Sequence, residues 1–286
     1  MAQKVVFTDI DGTLTDINTG KYNLSKGLVR KLNEDSIPVI FCSAKTLAEQ
    51  EEISQDIGLM EPLIVENGGA VMIPTDYFSP SIMLTVKNYK KIGNYIMIEL
   101  GKPSHVIRQK LNSIRENYKI DFKGVADVSL KKLSSITGLR PSNARRMADR
   151  KYGETILLID EKDVKPFTRR AREIGLKVIH GGRFFDVTAG NDKGKAVSLL
   201  LKLFRQKYAQ EVIFFGIGDS LNDVPMLRHM DVPMLVQRPD KAWSPLKMNN
   251  IIKLPGIGPR GWKSAFDKVM ETSVSSFMRN DDVSIC

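Results

Sequence analysis

Two aspartates, Asp9 and Asp11, follow a short apolar run (Val5, Val6, Phe7) in the stretch KVVFTDIDGTLTD, residues 4–16. A run of that composition bounded by a turn signal predicts a buried parallel strand, and ligands of such sheets collect beyond the carboxyl ends of the strands. The pattern recurs at residues 212–223, VIFFGIGDSLND, where a second apolar run and a glycine turn deliver Asp219 and Asp223. Carboxylates brought together from two strand ends repel one another in a partly dry site, so they take up protons or share a cation. A hard divalent ion with oxygen ligands is the natural partner, and magnesium suits a site built from few carboxylates, water and phosphate. Other duties are open to the same residues. Asp-Gly is also a hairpin signal, and Asp219 and Asp223 stand where they could cap a helix opening near Asn222.

The elements that must position these groups alternate along the chain. Strands are predicted at 38–42, ending beside Ser43, and at 62–65, running into a glycine turn after Asn67; helices are predicted at 24–32 and 46–57. That alternation predicts an α/β fold with a doubly wound parallel sheet. The pattern changes in the middle of the chain. Strands at 94–100, 155–159 and 177–180 are interspersed with helices at 103–118, 128–137, 143–151 and 164–175, which reads as an inserted α+β domain. The first pattern resumes with an extended stretch at 184–187, a helix at 193–208, the strand at 212–216, a helix at 222–230, a strand at 234–236 and a last helix at 262–277. The expected division is a core of residues 1–81 and 181–277, an insert of 82–180, and a polar tail of 278–286.

Charge follows the same division. The net charge is +10, and residues 82–180 hold 22 Lys and Arg against 10 Asp and Glu, while the rest is nearly balanced at 21 against 23. A basic segment attracts nucleic acid, anionic membrane or small acidic ligands. No RNA-binding signature or regular aromatic interleaving accompanies the cations, so nucleic acid is the weaker reading. No apolar run approaches the roughly 20 residues of a membrane span, and the N-terminus enters a strand with no room for a secretory leader. Two cysteines, Cys42 and Cys286, are too few for a disulfide framework, which fits a reducing cytoplasmic setting. The sequence leaves the oligomeric state open between monomer and dimer.

Four motifs in one order carry a family resemblance: DIDGT (residues 9–13), the strand-terminal Ser43, Lys193 in NDKGKA, and GDSLND (residues 218–223). In that order they resemble the haloacid dehalogenase superfamily of phosphotransferases, and the insertion between the second and third resembles its C2-type cap on a Rossmann-like core. The resemblance implies that Asp9 attacks phosphorus to form an aspartyl-phosphate and that Asp11 serves as acid and then base. It also implies that Ser43 hydrogen-bonds a phosphoryl oxygen while Lys193 offsets charge on the transferring group. Asp9, the Asp11 main-chain carbonyl and Asp219 would hold Mg2+, supported by Asp223 and Asn222. A phosphatase or phosphomutase acting on another sugar phosphate shares the same core and stays open as an alternative.

Further stretches are similar to the mannosyl-3-phosphoglycerate phosphatase family. They are CSAKTLAEQ (42–50), VENGGAVMIP (65–74), LSSITGL (133–139), HGGRFFDV (180–187), NDKGKAV (191–197), GDSLNDVPML (218–227), LVQRPD (235–240) and LPGIGPRGW (254–262). The implied substrate is a hexosyl 3-phosphoglycerate, cleaved to the hexosylglycerate and phosphate in making a compatible solute. The segment RKYGET (150–155) departs from a family pattern close to Arg-Glu-Tyr-Ser-Glu-Pro, which leaves the hexose as mannosyl or glucosyl. Such a substrate bears a carboxylate as well as a phosphate and needs cations beyond the metal site. The candidates are Arg140, Arg145, Arg146, Arg150 and Arg183, with Arg146 and Arg150 expected on one helix face at i, i+4 spacing. Asn67 and Asn222 complete the expected substrate contacts.

Overall fold

The computed structural model describes residues 2–181 and 183–272. The last part of the final expected helix (273–277) and the polar tail (278–286) lie outside the described residues. Among the described residues thirteen strands form two sheets. In chain order they are β1 Gln3–Thr8, β2 Val39–Cys42, β3 Leu63–Val65, β4 Ala70–Pro74, β5 Tyr89–Ile92, β6 Tyr95–Glu99, β7 Phe122–Gly124, β8 Gly153–Ile159, β9 Lys177–Gly181, β10 Phe184–Thr188, β11 Val212–Gly218, β12 Val232–Gln237 and β13 Ile252–Ile257. The large sheet has the order β13-β12-β11-β1-β2-β3-β4-β6-β5, and the small one β7-β8-β10-β9. From β13 to β3 all pairs are parallel, whereas β4, β6 and β5 extend the sheet antiparallel.

The double winding is written in the alternation of β1. Successive strand residues point to opposite faces. Val6 joins the core under helices Asn23–Glu34, Leu47–Ile57 and Pro259–Glu271, with Val29, Ile53 and Trp262. Val5 and Phe7 join the other, under helix Lys193–Lys207 with Val197, Leu200 and Phe204. The small sheet is layered in the same way. Ile156 packs with Ile107, Leu111 and Phe167 of helices Ser104–Tyr118 and Glu161–Glu173. Its neighbour Leu157 packs with Leu133, Ala144 and Met147 of helices Leu130–Thr137 and Pro141–Ala148 on the opposite face.

Strand pairing draws the boundary between the sheets differently from the expected limits at 82 and 180. β5 and β6, expected in the insert, hydrogen-bond into the large sheet with Ala70 opposite Glu99 and Tyr89 opposite Ile98. β10, expected to resume the core, sits between β8 and β9 in the small sheet. The chain passes between the sheets at two adjacent points, where Gly101 N donates to Gly69 O at 2.8 Å and Lys102 N to Ala189 O at 2.9 Å.

A third connection is made without a chain crossing. Glu66, buried at the end of β3, accepts hydrogen bonds from Lys151 N (2.7 Å) and Tyr152 N (2.9 Å) of the segment leading into β8. Tyr152 then inserts its ring into the core beneath the large sheet, and its hydroxyl reaches Glu99 Oε1 at 2.9 Å. Among the described residues no helix is long and apolar enough to cross a membrane.

The Glu66 carboxylate thus satisfies two main-chain amides, the buried one of Tyr152 and the half-buried one of Lys151. Glu66→Ala should lower stability by about 1–3 kcal/mol, chiefly through the buried Tyr152 amide left without an acceptor. Glu66→Gln, which keeps one acceptor oxygen, should lose less. Urea titrations of the three proteins check this; an unchanged midpoint for the alanine variant would refute the role given to Glu66.

Candidate active site

The parallel strands fix where the chemistry-bearing residues meet. β1 and β11 run side by side with Thr8 opposite Ile217, so Asp9 and Asp219 leave the same end of the sheet, and β2 ends beside them at Ser43. Asp9 N is anchored to Ile217 O at 2.9 Å. The motif glycines allow the carboxylates to close in. A Cβ on Gly12, whose φ is +83°, would come 3.0 Å from Asp219 Oδ2, and one on Gly218 would come 2.6 Å from the Asp223 Cβ.

Into this cluster the first residue of helix Lys193–Lys207 sends its ammonium. Lys193 Nζ lies 2.8 Å from Asp9 Oδ1 and 2.8 Å from Asp223 Oδ1, with its side chain 1% exposed. The other Asp223 oxygen accepts from Asp219 N, Ser220 N and Ser220 Oγ at 3.1–3.2 Å, so this carboxylate organises the loop and the lysine together. Asp219 Oδ1 accepts from Thr13 Oγ1 at 3.3 Å. The GDSLND stretch opens as a single 3-10 turn, Leu221–Asp223, and a short helix, Val224–Leu227, in place of the expected helix from 222 to 230.

Three carboxylates sharing one ammonium define the electrostatics. Burial pushes the Asp9 carboxyl up to about 7 against the pull of Lys193, and Asp223 adds to the rise. Burial likewise raises Asp219 to about 8, reinforced by Asp223 and Asp9. Lys193 is held above its ordinary value, because the attraction of Asp223 and Asp9 outweighs the cost of its burial. Asp9, Asp219 and Asp223 each offer an oxygen within 4.8 Å of the others, a set of hard donors that fits a hard divalent cation. Two helices, Leu47–Ile57 and Lys193–Lys207, also begin at this end of the sheet, and helix N-termini favour anions.

The remaining sequence candidates lie at graded distances from this cluster. Ser43 is buried at the strand end, its Oγ accepting from Lys45 N at 3.3 Å. Asn222 Nδ2 donates to Asn67 Oδ1 at 2.9 Å, and Asn67 Nδ2 reaches Asp186 Oδ2 of β10 at 3.4 Å. Arg150 is buried against the Ser43 loop, with its guanidinium 3.3 Å from Ala44 O and 3.7 Å from Asp186. Arg146 pairs with Glu52 at 3.1 Å. Arg146 and Arg150 do not share a helix face, because the helix ends at Ala148 with Asp149 as its cap. Arg140, Arg145 and Arg183 are exposed and form no ion pair among the described residues; Arg183 lies over the Phe184 ring.

Two charged residues were missed by reasoning from sequence. Lys45 Nζ lies 3.0 Å from Asp11 Oδ1 and 3.7 Å from Glu49 Oε1. Its only signal was its place in CSAKTLAEQ, two residues beyond Ser43, and its partner belongs to a neighbouring strand end. Glu66, in VENGG, carried no signal of its grip on the insert.

A parallel sheet ending in this aspartate–lysine cluster, with a second, four-stranded sheet built from the chain between β6 and the Lys193 helix, defines the class. The chain belongs to the haloacid dehalogenase-like hydrolases, whose family pattern it matches over residues 6–241. A glucosyl-3-phosphoglycerate/mannosyl-3-phosphoglycerate phosphatase of Methanococcoides burtonii is 39% identical over 263 residues, covering 91% of this chain and 95% of that one. A mannosyl-3-phosphoglycerate phosphatase of Pyrococcus horikoshii is 33% identical over 233 residues, covering 82% and 90%. The crystal structure of a Thermoplasma acidophilum protein superposes with a TM-score of 0.63 at 17% identity, covering 94% of this chain and 99% of that one, which shows the fold.

The raised carboxyls set a pH dependence for the metal-free protein. Asp9 and Asp219 stay protonated in the fold over a range where the unfolded chain, near its ordinary value of 3.8, has released those protons. Their contribution to stability is therefore full below that value and is lost as pH rises through about 7 to 8. Thermal melts in chelator should fall over this range, and Asp219→Asn should flatten the fall. A steeper fall in that variant would contradict the assignment.

Proposed function

We propose that the chain is a magnesium-dependent phosphatase that releases phosphate from a hexosyl 3-phosphoglycerate through a phosphoryl group carried on Asp9. The observation that carries this reading is the buried Asp9 carboxylate at a strand end, 2.8 Å from the Lys193 ammonium and in reach of the Asp219 carboxylate. A nucleophilic carboxylate splits one very slow hydrolysis into two easier steps. Lys193 holds Asp9 in place and faces the charge that develops on the transferring group. Ser43, at the start of the neighbouring loop, hydrogen-bonds a phosphoryl oxygen.

Asp11 stands two residues beyond Asp9 with its side chain 45% exposed and its Oδ1 3.0 Å from Lys45 Nζ. It protonates the leaving oxygen and later takes a proton from the attacking water. Asp9, the Asp11 main-chain carbonyl and Asp219 would hold the magnesium ion, with Asp223 and Asn222 fixing their loop. Bound there, the ion neutralises charge that three carboxylates and one ammonium leave in excess.

The names of the relatives, both mannosyl and glucosyl, support a substrate with either hexose. Asn67, Arg146 and Arg150 lie where the small sheet meets the large one and contribute to substrate binding. The exposed Arg140, Arg145 and Arg183 add attraction for an anion. A cytoplasmic setting agrees with the free, buried Cys42.

The test is phosphate release from mannosyl-3-phosphoglycerate, glucosyl-3-phosphoglycerate, free 3-phosphoglycerate and mannose 6-phosphate, with magnesium and with excess chelator. Metal-dependent preference for a glycosylated glycerate is expected, and Asp9→Asn should lower kcat by more than about 10^4-fold. Equal weak rates on all four esters would overturn the substrate. Retained turnover in Asp9→Asn would overturn the nucleophile.

A further inference from the structure

Resting on the substrate proposed above, we infer that Lys45 is the residue that recognises the carboxylate of the leaving group, and so selects phosphoglycerate esters over other sugar phosphates. The two lysines of the site divide the work. Lys193, with a side chain 1% exposed, is locked between Asp9 and Asp223 on the phosphoryl side. Lys45, 21% exposed, stands on the leaving-group side with its Nζ 3.0 Å from Asp11 Oδ1.

The distances follow from the chemistry of the ester. Asp11 must come within about 2.6–3.2 Å of the leaving oxygen to pass it a proton. In a 3-phosphoglycerate unit the carboxyl carbon is three bonds from that oxygen, within about 4 Å of it on ordinary bond lengths. An ammonium in contact with the Asp11 carboxylate can therefore be reached by the substrate carboxylate through rotation about the C2–C3 bond of the glycerate. When Asp11 turns to the leaving oxygen, Lys45 exchanges one carboxylate for another.

The surroundings hold Lys45 for this exchange. Its carbonyl accepts from Glu66 N at 3.0 Å and from Gln50 Nε2 at 3.2 Å, which pins its backbone. Glu49 Oε1, 3.7 Å from the ammonium, steadies the side chain, and the other Glu49 oxygen is tied to Thr46 N at 2.9 Å in a capping box. The insert sits on the same loop, since Thr46 Oγ1 donates to Arg146 O at 2.9 Å and Arg150 reaches Ala44 O. Of the other cations, Arg140, Arg145 and Arg183 lie on the surface and Arg146 faces Glu52, while Arg150 reaches the same loop at Ala44 from beside Asp186; none of these is paired with Asp11 as Lys45 is.

A matched pair of esters isolates the carboxylate. 3-Phosphoglycerate and glycerol 3-phosphate differ by a carboxylate in place of a hydroxymethyl group. The ratio of their kcat/KM values is measured for the wild type, Lys45→Arg and Lys45→Met. The wild type should favour the carboxylate-bearing ester, Lys45→Met should lower the ratio about 10–100-fold, and Lys45→Arg should keep most of it. A ratio equal in Lys45→Met and wild type overturns the proposal even if both rates fall, because Lys45 then serves only Asp11 or the fold. A wild type that does not favour the carboxylate-bearing ester also overturns it. Failure of the hexosyl substrate shows separately, as hexosyl 3-phosphoglycerates cleaved no better than free 3-phosphoglycerate.

Discussion

The shared ammonium of Lys193 is the interaction on which the rest of the site depends. Burying a lysine and three carboxylates at the end of a sheet costs several kcal/mol per ion in desolvation, repaid only when geometry and further hydrogen bonds are good. Here the two lysine contacts are both 2.8 Å, and the far oxygen of Asp223 is satisfied by three donors from its own loop. Three carboxylates still face one ammonium, and burial first, then the neighbouring carboxylates, raise the Asp9 and Asp219 carboxyls. A core built only for stability would replace these groups with apolar side chains. Their retention makes sense as a charge deficit waiting for a cation and a phosphoryl group.

The turn after β3 ties that centre to the insert. Glu66 and Asn67 are both non-glycine residues in the left-handed region, at φ +48° and +59°, a conformation that persists only where its surroundings over-determine it. The surroundings here are of two kinds. Glu66 grips the main chain at Lys151 and Tyr152, while Asn67 holds Asn222 of the aspartate loop on one side and Asp186 of the small sheet on the other. Two adjacent residues thus fix the catalytic loop and the insert in one frame. A displacement of either sheet is felt by the loop that carries Asp219 and Asp223.

What could be read from sequence was local. The apolar runs ending in Asp9 and Asp219 dictate strands, and the acids follow from the strands, so the α/β core and the aspartate cluster were legible. Ladder partners were less so. Tyr89–Ile92, with sequence YKKI, is exposed throughout and has no apolar face to mark it; its signal was the Gly93-Asn94 pair leading into β6, a two-residue hairpin connection. Arg150 was placed on a helix by continuing a pattern that stops at Ala148. Its partner Asp186 belongs to β10, which meets β8 only through sheet pairing. Contacts such as Lys45 with Asp11 and Glu66 with Lys151 likewise join residues that no spacing rule connects.

The charge surplus of residues 82–180 takes on a definite meaning in this light. Some cations of this segment are exposed and paired locally, as in Arg170 with Glu173 and Lys151 with Asp149, and exposed pairs of this kind contribute little. The cations in excess of the acids sum to a positive field beside a centre that is itself short of positive charge, which draws in an anion from a distance without specifying it. Specific recognition needs a cation held at fixed distance from the reacting atoms. The exposed arginines Arg140, Arg145 and Arg183 are not held in this way, whereas Lys45, attached to the strand-end loop and paired with Asp11, meets the requirement. Attraction therefore resides in the insert and discrimination in the core, which separates the residues that set how fast the anion arrives from those that set which anion reacts.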